Sequence, residues 1–382
     1  MKQNLIFSED LQRDLQSEID SASPDRLFVL TDENTRRLCW PLVEGFSAFS
    51  DARLIEIPQG DANKNLDSLA MVWEALQRGG GTRHSLLVNL GGGMVCDLGG
   101  FAASTFKRGI RFVNIPTTLL AMVDASVGGK TGVNFGGLKN EIGTFSEPQA
   151  VVIDTKFLET LDRENLLSGY AEMLKHGLLD TVEHWAEVVK VHSSKFIVHS
   201  SKSNVQCSMS NVQCSMSNVQ CSMSNVQCSI LERSIAVKQR IVTSDPHEKG
   251  LRKALNLGHT FGHAFESFSI QHPTPNTQHP APILHGHAVA FGLICELYLS
   301  VVKCGFPTEK MRQTVQFVRE NYGSLPITCD DYPELICLMQ HDKKNIGNTI
   351  RFTLLADIGD IRLDQTASHE EIKEALDFLR KG

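Results

Sequence analysis

Short β-rich runs alternate with helical runs between residues 26 and 154, and this alternation limits the possible folds more than any other feature of the chain. Arg26–Asp32 (RLFVLTD), Arg53–Pro58 (RLIEIP) and Ser85–Leu90 (SLLVNL) have strand length and strand composition. Between the last two, Asn65–Arg78 places Leu66, Leu69, Met71, Val72 and Leu76 at helical spacing. Phe112–Ile115 and Ala150–Asp154 add strands of the buried type. Such a succession predicts a mostly parallel sheet covered by helices, with ligands at the carboxyl ends of the strands. Gly91-Gly92-Gly93 follows the third run directly, where a nucleotide pyrophosphate would lie. A tight turn also produces glycine runs, and the segment is not a GxGxxG fingerprint. Asp97, Gly99 and Gly100 follow closely and make a plain turn the weaker of the two readings.

Residues 116–140 combine Asp124, Lys130, Lys139 and several glycines, and read as a polar loop that wraps an anion. Gly129-Lys130-Thr131 resembles the end of a phosphate-binding P-loop. Position 124, where that motif needs glycine, is Asp, so a P-loop ATPase is disfavoured.

From about Asp162 the texture turns helical. Asn165–Val191 reads as one long helix carrying Glu172 and Lys175, which share a face as a solvated salt bridge or as the wall of a cleft. Helical runs continue at Ile230–Thr243, Gly286–Val302, Lys310–Asn321 and Glu370–Arg380, with one late strand at Thr349–Leu355. In Leu255–Glu266, His259 and His263 stand four apart, and on a helix their Cβ atoms would be about 5–6 Å from each other. The pair is either an ordinary helix surface or two nitrogen donors converging on one ion or anion. It lacks the Glu of a metalloprotease helix, but Lys238, Arg252 and Lys253 lie upstream, and His285 and His287 follow.

At 382 residues the chain exceeds one usual core, which predicts two domains, at 1–158 and 159–382. A net charge of −7 and the absence of a basic stripe argue against nucleic acid as a partner. No signal peptide and no membrane-spanning run are expected. Four of the ten cysteines belong to a repeat and the rest lack CxxC spacing, so reduced cytoplasmic thiols are expected. The repeat, Ser203–Ser229, is four near-identical SNVQCSM heptads. Its Ser and Asn favour turns over helix, and it reads as a flexible insert, disordered or loosely helical, with soft-metal binding by its cysteines the lesser alternative. His272–Pro282 reads as a Pro-rich loop with solvated histidines.

Taken together, the motifs resemble the 3-dehydroquinate synthase family of sugar-phosphate cyclases. The matching pieces are Gly91-Gly92-Gly93-x-x-x-Asp97, Arg108-Gly109, Pro116-Thr117-Thr118-Leu119-Leu120-Ala121-x-Val123-Asp124, Gly128-Gly129-Lys130-Thr131 and Lys139-Asn140. They continue through Ala171-Glu172-x-x-Lys175-His176-Gly177, Lys238, Arg252-x-x-Leu255-Asn256-x-Gly258-His259-Thr260-x-Gly262-His263, His285-Gly286 and Asp342-Lys343-Lys344. The resemblance covers nearly the whole chain apart from the two inserts. His287 stands where the family often has Glu, and the loop before His285 is longer than usual; neither departure touches a matched ligand.

The resemblance implies an N-terminal NAD-binding α/β domain, an all-α C-terminal domain carrying the metal, and a substrate cleft between them. It implies metal ligands Glu172, His259 and His285 for one divalent ion, Zn²⁺ or Co²⁺, in a donor set that suits a catalytic site with an open position. Gly92 and Gly93 would approach the NAD pyrophosphate. The resemblance adds Asp32, Asn34, Lys64, Asp97, Thr117, Thr118, Asp124, Lys130, Lys139 and Thr160 as cofactor contacts. Lys130, Asn140, Lys175, Lys238, Arg252, Asn256, His263, Lys343 and Lys344 would serve a phosphorylated sugar acid, and Arg108 a neighbouring subunit's phosphate in a homodimer. The implied reaction takes 3-deoxy-arabino-heptulosonate 7-phosphate to 3-dehydroquinate and phosphate in the shikimate route to aromatic amino acids. Transient oxidation with NAD⁺, loss of phosphate, return of the hydride, ring opening and an intramolecular aldol closure lead there, and NAD is regenerated. The rival readings are another NAD- and metal-dependent cyclase or polyol dehydrogenase, and a binding protein with a decayed site.

Overall fold

The computed structural model describes residues 3–136, 138–190, 216–272, 282–340 and 349–381. Two compact units make up the chain: Met1–Leu161 with Lys238–Pro246, and Asp162–Val237 with His247–Gly382.

In the first unit the apolar runs form β2 (Leu27–Asp32), β3 (Arg53–Ile57), β4 (Leu86–Gly91), β5 (Arg111–Pro116) and β8 (Ala150–Ile153) of one sheet. A short N-terminal strand, β1 (Leu5–Phe7), adds an edge that its three residues did not advertise. The sheet order is β1-β8-β5-β4-β2-β3, and every pair is parallel. Helices α1 (Leu11–Ala22), α2 (Glu33–Leu38), α3 (Leu66–Arg78) and α4 (Gly93–Thr105) connect the strands. Asn65 is the N-cap of α3, accepting from the Ser68 amide at 3.0 Å. Phe28, Leu30, Leu87, Leu98 and Phe112 lie in the core that packs the helices onto the sheet. The chain passes from β2 to β3 on one side and returns to β4 on the other, so the order reverses between β2 and β4. Ligands of such sheets bind at that reversal, beyond the strand ends.

Residues 130–145 correct the expectation of a polar loop: they form an antiparallel hairpin, β6 (Lys130–Phe135) and β7 (Leu138–Phe145). Gly128 and Gly129, at φ +104 and +65, turn the chain into it. The hairpin packs on α4, which is apolar on nearly every face. Gly99 and Gly100 make that double contact possible. A Cβ on Gly99 would stand 2.0 Å from Asn89 Oδ1 in the sheet, and one on Gly100 2.6 Å from Thr131 Cγ2 in the hairpin.

The second unit contains α5 (Arg163–Leu179), α6 (Val182–Val189), α8 (His259–Gln271), α9 (His285–Cys304), α10 (Thr308–Tyr322), α11 (Tyr332–Gln340) and α12 (His369–Lys381). Helix α7 (Met216–Ser244) contributes its residues up to Val237, and Lys238 onward belongs to the first unit. The long helix expected over Asn165–Val191 is two helices. Gly359 donates its N–H to the Leu178 carbonyl at 2.9 Å, which takes up an end carbonyl of α5, and Thr181 caps α6. The unit is helical apart from one antiparallel pair, β9 (Arg351–Asp357), where the late strand is expected, and β10 (Asp360–Thr366). Helix α9 packs against α5, α8, α10, α12 and β9 and is buried along most of its length. It is long and apolar enough to cross a membrane, unlike the expectation from sequence, and its burial is that of a core helix. The repeat is helical in its backbone from Met216; residues 203–215, most of the Pro-rich loop, Lys343 and Lys344 lie outside the described residues. The six cysteines outside the repeat are free thiols.

Candidate functional site

At the reversal point of the first unit, Gly92 is the N-cap of α4 and offers no side chain to its first turn. The first amides of a helix carry partial positive charge and bind anions when nothing else caps them. The glycines also allow close packing: a Cβ on Gly91 would meet Val95 at 2.5 Å, and one on Gly93 would meet Ala125 at 3.0 Å. The Thr117 amide donates to the Gly91 carbonyl at 3.0 Å and ties the next strand end to this loop.

Around this loop most of the expected cofactor and substrate residues already have partners. Asp32, at the end of β2, accepts from the Thr35 amide at 2.7 Å and caps α2. Asn34 is exposed and accepts from Arg37. Lys64 is buried, and its Nζ donates to both Asp97 and Asn140. That single ammonium therefore links α4 to the hairpin, where Asn140 sits at φ +51. Burial lifts the Asp97 carboxyl above its ordinary value although Lys64 opposes the shift. Lys139 pairs with Asp61 at 3.1 Å. Lys238 donates to Asp124 Oδ1 at 2.7 Å. Thr118 Oγ1 accepts from the Ala121 amide, and Thr160 donates to the Phe157 carbonyl. Lys130 and Arg108 are exposed, the latter in a turn at φ +69.

The second unit brings three donor side chains to one point. Glu172, in the middle of α5, has no exposed surface. Its Oε1 lies 3.5 Å from His259 Nε2, at the start of α8, and 3.6 Å from His285 Nε2, at the start of α9. These spacings are too long for good hydrogen bonds. Two ligands about 2.0–2.2 Å from one tetrahedral ion stand about 3.3–3.6 Å apart, which is the spacing found here. All three ligand atoms lie within 4.8 Å of one another.

The far sides of both rings are held as metal ligands require. His259 Nδ1 donates to the Leu257 carbonyl at 3.1 Å, which puts the proton on Nδ1 and leaves Nε2 as the donor for an ion. His285 Nδ1 lies 3.1 Å from Glu266 Oε2, a carboxylate–histidine pair of the kind that orients a metal-bound imidazole. The chemistry and spacing of this set fit a divalent cation.

Electrostatics favour a cation at Glu172, while an ion at His285 must displace a proton. Burial opposes a charge on Glu172, but Lys175 and the two imidazoles outweigh it and hold the carboxyl well below the usual carboxylate range. Lys175 Nζ pairs with Glu172 Oε2, and both residues are buried, so the pair is not the solvated salt bridge of an exposed helix face. Burial also opposes a charge on His285, yet Glu266 and then Glu172 push it up to about 10.

His263 lies edge-on to His259, with ring centroids 5.4 Å apart, and is half-buried beside the three ligands. Arg252 is buried, and Asn256 donates to Glu248 at 3.0 Å. Two residues that the sequence reading missed thus matter here, Glu248 and Glu266. Glu266 had a signal: it stands three residues after His263 and seven after His259, on the same helix face. His287 points away from the cluster, to Glu164 at 2.8 Å and to the edge of Tyr322.

Comparison with known proteins identifies the family of the chain. Residues 54–168 match the model of the 3-dehydroquinate synthase N-terminal domain, and residues 169–345 that of the C-terminal domain. A 3-dehydroquinate synthase of Parabacteroides distasonis is 50% identical over 381 residues, covering 100% of this chain and 99% of that protein. In fold, the chain is similar to 2-epi-5-epi-valiolone synthase from Streptomyces hygroscopicus, whose structure holds NAD⁺ and Zn²⁺, with a TM-score of 0.82 at 24% identity over 99% of this chain and 97% of that one. It is also similar to a 2-deoxy-scyllo-inosose synthase complexed with carbaglucose-6-phosphate, NAD⁺ and Co²⁺, with a TM-score of 0.77 at 20% identity over 97% of this chain and 95% of that one. The chain belongs to the 3-dehydroquinate synthase family.

Proposed function

We propose that this protein is a 3-dehydroquinate synthase that closes 3-deoxy-arabino-heptulosonate 7-phosphate to 3-dehydroquinate with loss of phosphate. The observation that carries the proposal is the convergence of Glu172, His259 and His285, with Lys175 behind them, in a chain of this family. Glu172 Oε1 and the Nε2 atoms of the two histidines would hold one divalent ion, Zn²⁺ or Co²⁺. NAD would lie at the glycine loop, over Gly92, Gly93 and the first turn of α4. When bound, the ion supplies Lewis-acid stabilisation of a substrate alkoxide, and the nicotinamide supplies a reversible hydride acceptor.

The chain's own residues supply charge and position. Lys175 keeps Glu172 ionised, so the ligand is ready without losing a proton. Glu266 and the Leu257 carbonyl fix the two rings with Nε2 facing inward. In the same unit, Arg252, Asn256 and His263 are the donors we assign to the substrate's anionic groups. In the first unit, Lys64 holds Asp97 and Asn140 in place beside α4.

We further propose that the protein works as a homodimer. The β6–β7 hairpin carries Phe135, Leu138 and Phe145 at 50%, 53% and 56% exposure, which favours an apolar partner surface there. Light scattering tests this, and a monomer at working concentration would reject it.

The decisive assay follows phosphate release from the heptulosonate phosphate with NAD⁺ and metal while absorbance at the NADH band is recorded. Stoichiometric phosphate without net NADH is expected. Net NADH would instead mark a dehydrogenase, and no phosphate would mark a decayed site.

A further inference from the structure

Helix α8 begins at His259 with an unusual start. Its N-cap is Gly258, at φ +79, which has no side chain to satisfy the first amides. The missing cap comes from another helix. Glu296, in α9, is fully buried, and its carboxylate accepts from the Gly258 amide at 2.7 Å through Oε2 and from the Thr260 amide at 3.2 Å through Oε1. These amides are those immediately before and after His259. A carboxylate on helix-terminal amides is charge-assisted and complements the helix dipole.

The surroundings let Glu296 reach. Gly292 lies one turn earlier in α9, and a Cβ there would stand 2.0 Å from the Gly258 carbonyl oxygen. Gly262 gives α8 the same freedom, since a Cβ there would meet Ala288 and Val289 backbone at 3.2–3.3 Å. Backbone therefore lies on backbone where the two helices cross. Helix α9 itself opens with His285, so one buried side chain ties the helix that presents His285 to the peptide that presents His259.

We propose that Glu296 is a positioning residue for the metal site, setting His259 at its distance from His285 and Glu172 before any ion arrives. This rests on the ligand assignment above. It adds a specific property: the geometry of the two imidazoles is set in advance by a carboxylate that holds the peptide groups on either side of His259.

The test measures metal affinity and amide exchange in parallel. In metal-free wild-type protein, the Gly258 and Thr260 amides should exchange slowly, as core amides do, although helix starts normally open early. In Glu296→Gln, the side chain keeps its size but turns an NH₂ toward one of the two donors. Its metal dissociation constant, from competition with a chromogenic chelator well below the melting midpoint, should rise about tenfold or more, as for other residues that orient ligands. Protection of residues 258–260 should fall while α10 and α12 keep theirs. A variant that melts earlier but binds metal with wild-type affinity would show that Glu296 only packs the two helices, and overturns the proposal. Should Glu296→Gln fail to fold, the wild-type exchange rates decide instead, with fast exchange at Gly258 and Thr260 rejecting it. His259→Ala serves as the separate control: wild-type metal affinity in that variant would reject the ligand assignment itself, whatever Glu296→Gln does.

Discussion

Gly286 lies directly on Ser168: its amide donates to Ser168 Oγ at 3.1 Å, and a Cβ on it would stand 1.8 Å from the Ser168 carbonyl oxygen. Ser168 is one turn before Glu172 on α5, and Gly286 is the residue after His285. The contact therefore sets how near one ligand comes to another. Gly286→Ala should push the start of α9 away from α5, costing about 1–3 kcal/mol by overpacking. Metal affinity should fall by at least tenfold, because the His285 ring moves with its backbone. Calorimetric titration of the metal-free variant checks this, and unchanged affinity would show that His285 reaches the ion by side-chain rotation alone.

Lys175→Met tests the buried pair. Removing the ammonium leaves the Glu172 carboxylate without its strongest cation in a site with no exposed surface. The metal-free protein should lose on the order of 3–5 kcal/mol, as when one member of a buried ion pair is deleted. A divalent ion restores positive charge at the same carboxylate, so the loss should be clearly smaller in the metal-loaded form. Melting curves with and without metal, for both proteins, give the four numbers needed. Equal losses in the two forms would mean that the ion does not bind at Glu172.

Much of this arrangement was legible in the sequence, for identifiable reasons. The strands of the parallel sheet are buried on both faces, so continuous apolar runs such as Leu86–Leu90 betray them without knowledge of their partners. The donor types of Glu172, His259 and His285 stand in the sequence, and their convergence is what the structure adds. What escaped depended on contacts distant in sequence. Within residues 116–140, the glycines and lysines read as a loop, because the pairing of the hairpin that begins at Lys130 is supported by packing on α4. At the break between α5 and α6, Thr181 is a local cap, but the partner of the Leu178 carbonyl is Gly359, far along the chain. Glu296 sits inside an apolar run with no local partner, and the amides it satisfies lie 38 and 36 residues earlier.

The C-terminal helix gives a pH prediction. Tyr332 of α11 donates to Asp377 of α12 at 2.8 Å. That bond, with Arg380 and Lys381, lowers the Asp377 carboxyl to about 2. Burial, and then Asp377, push the Tyr332 hydroxyl up to about 12. The depressed acid stabilises the fold above its ordinary value of 3.8, and that contribution is lost as pH falls from there to about 2. The raised phenol stabilises below its ordinary value of 10.0, and that contribution is lost as pH rises toward about 12. Tyr332→Phe should therefore lower the melting temperature between these limits and converge with wild type outside them. A pH-independent difference would assign the effect to packing.

The heptad repeat supplies a deletion test. Each unit offers one Val and one Met against two Ser, one Asn and one Gln, little apolar area to set against an ordering entropy of roughly 1–2 kcal/mol per residue. Anchoring of α7 in the second unit is visible immediately after the repeat. Ile230, Leu231 and Ile235 are buried, Arg233 pairs with Asp180 and Glu187, and Ser234 Oγ lies 3.2 Å from His184 Nε2. His184 Nδ1 in turn meets Asp180 at 3.1 Å. That serine–histidine–aspartate chain has the look of a nucleophilic triad, but Ser234 and His184 have no exposed surface, so it serves as a lock between α6 and α7. Because the heptads are near-identical, removing three of them changes neither the residues before Ser203 nor the heptad preceding Ile230. Shortening a connection in this way alters its closure entropy by only about 0.6 kcal/mol per halving. Deleting 21 residues should thus leave phosphate release and melting temperature almost unchanged. A loss of either, with the Ile230–Ser234 contacts intact, would give the repeat a structural role that its composition does not announce.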